Sequence, residues 1–297
     1  MSVSKKKIAV VAHNGKSFGG GLMQLRDVLA AQGFDDPLWY EVPKSKMVPA
    51  RIKQARKNGA ELIFAWGGDG TVQRSIDSLV GHSIVLSILP AGTANLLATN
   101  LGIPTDLEEA VLTGLNGSNK VLDVGRMNGE HFAVMAGTGL DALMIKDADR
   151  GLKDRFGRAA YIWTGARNVS HKLTKTKIRI DGNTWFDGEC SCILVGNVSD
   201  VLGGISVFDH ARPDDGKLDV AVVTADGAMQ WARALTRAVV GHADKSPLVQ
   251  MTTATKIEIK MKKALPYELD GGKRPKTDLL KIKVVPNAIT IRVPVPT

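Results

Sequence analysis

Up to about residue 116 the chain alternates short apolar runs with segments of helical spacing, and this rhythm limits the possible folds more than any other feature. Ile8–Ala12, Leu38–Val42, Leu62–Trp66 and Ile84–Leu89 are apolar runs of strand length. Between them, Leu22, Leu25 and Leu29 recur at helical spacing, and Val48–Asn58 reads as a helix closed by Gly59. Val72, Ile76, Leu79 and Val80 form one helical face, and a further helix is expected near Ala94–Leu101. Asp106 is placed to cap a helix through Thr113, with Gly114 after it. Strands alternating with helices predict a parallel sheet covered on both faces.

From about Asp123 the pattern changes. Val121–Met127 and His131–Ala136 flank Asn128-Gly129, a hairpin signal, and Lys177–Ile180 and Thr184–Cys192 flank Asp181-Gly182-Asn183. Leu218–Val223, Leu248–Thr253, Lys256–Met261, Tyr267–Leu269, Leu280–Val285 and Ile289–Val293 add strands. Helices are expected only near Leu140–Lys146, Arg158–His171 and Ala228–Val240. The fold class expected is an α/β N-terminal domain, 1–122, followed by a mostly antiparallel β-sandwich, 123–297, whose last strands are free to return to the first domain.

Lys plus Arg is 39 and Asp plus Glu is 30, so the net charge is +9. That balance favours anionic partners, whether nucleotides or an anionic membrane face. Nucleic acid is disfavoured, because aromatic residues are only 5% and no basic helix or stacking motif is present. Cys190 and Cys192 sit two apart in a strand-like run and read as buried core thiols, so nothing suggests an oxidising compartment. The longest stretch without a formal charge, Ser78 to Thr105, is interrupted by His82, Pro90, Asn95 and Asn100 and does not read as a membrane span. The expected location is cytoplasmic, with contact at most peripheral to the inner membrane face.

The sharpest motif is Gly67-Gly68-Asp69-Gly70-Thr71, between the third strand and its helix. Ligands of open α/β sheets bind beyond the carboxyl ends of strands, and glycines let backbone N–H groups approach phosphate oxygens at a helix N-terminus. Asp69 supplies a carboxylate for Mg²⁺, directly or through water, and Thr71 can either cap the helix or bond a phosphate. Gly92 and Thr93, in Pro90-Ala91-Gly92-Thr93-Ala94-Asn95, follow the next strand and can line the same cleft. Gly15-Lys16-Ser17 is not a Walker A motif, because Val10 stands where the first glycine belongs and Phe18 and Gly19–Gly21 delay the helix. A glycine-rich loop with Lys16 near phosphates is compatible with it.

These residues resemble the bacterial diacylglycerol kinase-like lipid kinases, which share a catalytic domain with eukaryotic diacylglycerol and sphingosine kinases. The resemblance continues through Leu101-Gly102-Ile103-Pro104, the run Ala136 to Ala142, Gly157-Arg158-Ala159-Ala160-Tyr161, Gly203-Gly204, Asp215-Gly216-Lys217-Leu218-Asp219 and Leu269-Asp270-Gly271. It implies ATP-dependent phosphorylation of a lipid hydroxyl, such as that of diacylglycerol or a sphingoid base. It also implies a nucleotide-binding catalytic domain, a β-sandwich lipid domain and an active site between them. Nucleotide contacts would fall on Gly67, Gly68, Asp69, Gly70, Thr71 and Thr93. A structural Mg²⁺ would be held by the Asp215 carboxylate and the carbonyls of Arg212 and Lys217, although Asp214-Asp215-Gly216 reads equally well as a turn.

Two departures stand out. The family's Asn-Pro pair of the first loop stands as Val11-Ala12 when Gly15 and Lys16 are aligned. Its Asp-Gly-Glu near the C-terminus is Asp270-Gly271-Gly272, without the glutamate that resemblance implies as proton acceptor. Either Asp270 serves as the base, or an acid from elsewhere does, or activity is lost; Asp270 also reads as a turn aspartate. The competing readings are an NAD kinase, which normally adds an Asn-Glu pair absent here, and a non-catalytic nucleotide- or lipid-binding regulator. The lysines from Lys256 to Lys283 suit an anionic leaflet or simply the solvated face of a sheet. A homodimer is compatible with the sequence and not fixed by it.

Overall fold

Each apolar run of the first 116 residues is too short to bury itself alone and finds cover only by pairing with its neighbours. A computed structural model describes residues 6–139, 173–200, 207–239, 242 and 245–296. The expected helices at Leu140–Lys146 and Arg158–His171, and the motifs at Leu140 to Ala142, Gly157 to Tyr161 and Gly203-Gly204, lie outside these residues. Two units are formed, one from Met1–Asp123 with Pro286–Thr297 and one from Val124–Val285.

In the first unit, β1 (Ile8–His13), β2 (Leu38–Val42), β3 (Leu62–Gly67) and β4 (Val85–Pro90) are all parallel, in the order β2-β1-β3-β4. Side chains alternate across the sheet, so both faces of these runs are apolar and both are covered. α1 (Gly21–Ala31) and α5 (Leu107–Asn116) bury Leu25, Leu29, Leu107 and Val111 against Val10, Phe64, Trp66 and Leu89. On the connections between these strands lie α2 (Val48–Lys57), which follows a 3-10 turn at Ser45–Met47 and packs with α3 (Asp69–Leu79), and the short α4 (Leu96–Asn100). Asp106 caps α5 as expected, its Oδ1 accepting from Glu109 N at 3.0 Å. The helix does not stop at Gly114, however; it continues to Asn116 and ends at Gly117. Gly114 is there for space, since a Cβ on it would lie 2.3 Å from both Phe64 Cε1 and Ser87 Oγ.

The second unit is antiparallel and β-rich, as the pattern predicted, but several strand boundaries differ. The expected strand His131–Ala136 is broken: β5 (Ser118–Met127) pairs with β6 (Glu130–Phe132), and β7 (Met135–Thr138) leaves that hairpin. β8 (Thr174–Ile180) pairs with β9 (Asn183–Cys190), and the chain changes partner at Ser191 to form β10 (Cys192–Gly196). β10 lies between β7 and β11 (Leu218–Val223). α6 (Gly227–Val239) then leads to β12 (Val249–Ala254) beside β11. The four expected runs after Lys256 merge into β13 (Lys256–Leu269) and β14 (Gly272–Val293), with register shifts in their pairing where the sequence suggested an end. The last residues of β14 pair in parallel with β4, Thr290 opposite Val85 and Ile291 opposite Leu86. The core of this unit gathers Phe132, Ile178, Val195, Val220, Ile257, Ile259, Leu280 and Ile282, and both cysteines are free and buried.

The break between β6 and β7 has a physical cause. Asp270 and Gly271 form the two-residue turn between β13 and β14, with φ of 44° and 75°, the left-handed pair that such a hairpin requires. The Asp270 side chain points inward, 5% exposed. Its Oδ2 accepts from Ala133 N and its Oδ1 from Val134 N and Met135 N, each at 2.9 Å. Three consecutive amides turned toward one carboxylate cannot serve a sheet ladder, so the strand is interrupted there. Hydrogen bonds to a charged group are each worth about 1.5–3 kcal/mol, so Asp270→Ala should cost about 3 kcal/mol or more. A fall in the urea midpoint with unchanged slope checks this; an unchanged midpoint would refute it.

Candidate active site

The strand order sets where a ligand can sit in the first unit. The chain steps from β1 out to β2 and returns to the other side of β1 for β3, so the sheet's switch point lies between β1 and β3, at their carboxyl ends. The loops leaving these strands are 14–20 and Gly68. They are tied together: buried Trp66 at the end of β3 donates from Nε1 to Lys16 O at 3.1 Å, and the Phe18 ring meets Trp66 edge-on at 5.7 Å. Lys16 thereby has its backbone fixed while its side chain stays exposed.

The Gly67–Thr71 and Pro90–Asn95 motifs are built as one piece. Gly68 and Gly92 are in backbone contact, and a Cβ on Gly92 would lie 2.4 Å from Gly68 Cα. Asp69 is the first residue of α3, and its carboxylate reaches across to the start of α4. Oδ2 accepts from Asn95 N at 3.0 Å and Oδ1 from Leu96 N at 2.6 Å. Burial pushes the Asp69 carboxyl above the ordinary carboxylate range, while the amides of Leu96, Asp69 itself and Asn95 pull the other way. A cation beside it would favour the charged form. The oxygens keep lone pairs beyond those the amides use, so the residue fits an ion held directly or through water.

Other sequence-predicted residues fall in different places. Gly70 and Thr93 are exposed, on α3 and on the β4–α4 loop, and Gly92 is half-buried. Thr71 neither caps α3, whose N-cap is Gly68, nor faces solvent. It is 2% exposed and folded against Gly67, where a Cβ would be 2.3 Å from Thr71 Oγ1. Its reading as a phosphate ligand is corrected on that ground: the hydroxyl packs under the turn that the glycine makes possible.

Asn95 was missed as an individual. It adopts a left-handed φ of 49°, takes the Gly92 N–H on Oδ1 at 2.9 Å, and donates from Nδ2 to the Pro90 and Gly92 carbonyls at 3.1 and 3.0 Å. The available signal was an asparagine directly before a helix, where such side chains fold back on their own backbone.

In the second unit, the expectation that Asp270 acts as a base is corrected. Its carboxylate is buried and turned to the backbone, accepting three consecutive amides, so it is placed as an anchor for that segment. The Gly272 position is also covered. Arg274 Nη1 donates to Gly272 O at 3.0 Å, and a Cβ on Gly272 would lie 2.7 Å from that nitrogen. The same guanidinium is held by Glu130, with Nε at 2.8 Å from Oε1 and Nη2 at 2.8 Å from Oε2.

Asp215 folds back to accept from Lys217 N at 3.0 Å, and Arg212 pairs with Asp214 at 3.2 Å. Asp219 nearby is pushed up to about 6, first by burial and then by the Asp215 charge. Among the described residues no three His, Cys, Asp or Glu side chains gather around a common point, so a cation at Asp215 would depend on carbonyl oxygens. Two neighbouring carboxylates with carbonyls suit a hard divalent ion.

If Asp69 and Asn95 hold the two loops as one network, their substitutions will not add. Asp69→Asn puts an N–H₂ against backbone donors and should cost about 1–3 kcal/mol of stability. Combined with Asn95→Ala, the double variant should depart from additivity by about 0.5–3 kcal/mol. Thermal melts of the two single variants and the double variant measure this, and strict additivity would refute the network.

Comparison with known proteins agrees with this architecture. The diacylglycerol kinase catalytic domain matches residues 16–127, and the YegS C-terminal NAD kinase beta sandwich-like domain matches residues 134–293. An uncharacterized protein of Synechocystis sp. is 35% identical over 213 residues, 69% of this chain, which spans about half of that protein's length (48%). A diacylglycerol kinase of Bacillus subtilis is 30% identical over 227 residues, 74% of this chain and 73% of that protein. A crystal structure of a diacylglycerol kinase from Bacillus anthracis superposes with a TM-score of 0.77 at 23% identity, covering 99% of this chain and 98% of that one. An NAD kinase from Archaeoglobus fulgidus shares the fold more distantly, with a TM-score of 0.54 at 11% identity over 96% of this chain and 93% of its own. With an α/β domain carrying the glycine–aspartate loop and a β-rich second domain both matched, the chain belongs to the diacylglycerol kinase-like lipid kinase family.

Proposed function

We propose that the protein is an ATP- and Mg²⁺-dependent kinase that phosphorylates the hydroxyl of a lipid such as diacylglycerol or a sphingoid base. Family membership supports kinase chemistry. The observation that carries the reading to this chain is the joined pair of glycine loops beside the sheet's switch point, stiffened by Asp69 and Asn95. ATP, when bound, supplies the phosphoryl group. Gly67, Gly68, Gly70, Gly92 and Thr93 would hold the nucleotide through backbone and hydroxyl groups, with Lys16 adding positive charge. Asp69 would hold the Mg²⁺ that accompanies it, and Asp270 is left with an anchoring role.

No side chain is assigned as proton acceptor. Phosphoryl transfer depends mainly on positioning and charge stabilisation, so a rigid loop pair serves it without a dedicated base. The NAD kinase reading has the glycine–aspartate motif and a distant likeness of fold behind it, and the Asn-Glu pair it would add does not occur in the sequence.

Transfer of labelled phosphate from ATP to diacylglycerol or sphingosine in mixed micelles tests the proposal. Turnover of one of these lipids and none of NAD is expected, and phosphorylation of NAD alone would overturn it. Removing the charge at Asp69 should lower kcat by about 10²–10³-fold, the effect of losing one preorganised electrostatic group. Asp69→Asn melts must accompany the assay, so that loss of fold is not read as loss of catalysis.

A cation at Asp215 is a separate proposal with its own readout. Mg²⁺ without nucleotide should raise the melting temperature by a few degrees, about 2–4 °C for each kcal/mol gained in a chain of this size. Asp215→Ala should abolish that shift while leaving ATP affinity unchanged. Equal melting curves in Mg²⁺ and in chelator would count against an ion there.

A further inference from the structure

The second unit carries a cavity of about 450 Å³ that shares no residue with the glycine loops. Among the described residues its charged lining is Arg126, Arg179, Lys256, Lys281 and Lys283 against a single carboxylate, Glu258. The alternation of β-strands produces this imbalance. Ile257, Ile259, Leu280 and Ile282 turn to the core, so their neighbours in sequence turn outward together. Across the strands, Arg179 and Lys281 both stand opposite Glu258, and in the next outward row Lys256 stands directly opposite Lys283. Like charges facing each other across a ladder are destabilising. Among the described residues none of the five cations forms an ion pair. The nearby Asp181 accepts from Lys256 N at 2.8 Å and from the Thr255 hydroxyl at 2.7 Å, and the Lys256 charge also acts on it.

The walls are preorganised. The β5–β6 turn is locked to β14 by Asn128, whose Oδ1 accepts from Lys281 N at 2.9 Å and whose Nδ2 donates to Leu279 O at 3.2 Å. Arg179 is steadied by donation from Nη2 to Gly182 O at 2.7 Å. A concave site with two guanidinium forks, three ammonium groups and a fixed frame matches the oxygens of phosphate. The cavity also falls within the volume range of small-molecule sites. Among the described residues no aromatic ring lines it, so these offer nothing for a nucleobase to stack on.

We infer that this cavity is a binding site for a phosphate mono- or diester, presented by a lipid headgroup or as a free anion. The inference goes beyond the kinase reading and does not depend on which hydroxyl is phosphorylated.

The test measures binding and not turnover. Isothermal titration with inorganic phosphate and glycerol 3-phosphate probes the free anion. Flotation with phosphatidylcholine vesicles, plain or with about 30 mol% phosphatidic acid, probes the headgroup at an anionic surface. Wild-type protein should bind at least one probe, with affinity falling as salt rises. Binding in titration assigns a free anion; binding only to the anionic vesicles assigns a headgroup.

Lys281→Glu with Lys283→Glu should weaken that binding by about tenfold or more, as loss of charge complementarity does. Lys53→Glu with Lys57→Glu, exposed on α2, makes the same change in net charge and should leave binding within about twofold. Equal loss in both pairs would mean that only net charge matters and would overturn the inference. So would no binding of any probe by wild type, or retention of an RNA oligonucleotide alone.

Discussion

The Asp69 carboxylate joins the starts of two helices that follow different strands, and the geometry of the candidate nucleotide loops depends on it. It sits on the first residue of α3 and accepts the amides of Asn95 and Leu96 at the start of α4. The bridge is short because Gly68 and Gly92 touch backbone to backbone, with no room for a side chain on Gly92. A buried carboxylate is costly unless hydrogen-bonded, and here the orphan N–H groups of a helix start satisfy it. The burial that raises its pKa is the same burial that would make a nearby cation favourable. Structural and chemical roles thus meet in one side chain.

The second unit uses the same device. Asp270 sits in a tight turn and turns three consecutive amides toward itself, ending one strand and starting another. Asp181 does so on a smaller scale, fixing Thr255 and Lys256 beside its own hairpin turn, and those bonds hold its carboxyl below the usual range. In each case an aspartate in a left-handed turn position, followed by glycine, bonds the backbone of a segment distant in sequence. Residues that look catalytic by motif are then free to be architectural. The Arg274 guanidinium, gripped by Glu130, donates to the Gly272 carbonyl and covers the space that a Cβ on Gly272 would take.

Much of this was legible beforehand. The strand–helix rhythm up to Asn116, the Asp106 cap, the two Asx-Gly hairpins and the glycine–aspartate loop at a strand end all depend on local rules. Periodicity, capping chemistry and turn conformation act within a few residues, so they can be read along the chain. The places where expectation failed are those where a distant partner intervenes. Gly114 looked like a helix end and is a packing contact with Phe64 and Ser87. His131–Ala136 looked like one strand and is split by a carboxylate more than 130 residues away in sequence. Thr71 looked like a ligand and is buried under its own turn.

The sequence by itself determined the two-part architecture, the family and the loop at which phosphate chemistry is expected, because each is encoded in residue type and spacing. Only the tertiary structure decided what the aspartates do. Whether a carboxylate is open to a cation, shared with a helix start or saturated by amides depends on which backbone groups the fold brings within about 3 Å of it, the range of a hydrogen bond. The basic cavity followed the same division. Its alternating lysines are visible in the chain, but strand register placed Lys256 opposite Lys283 and made a scattered charge into a site.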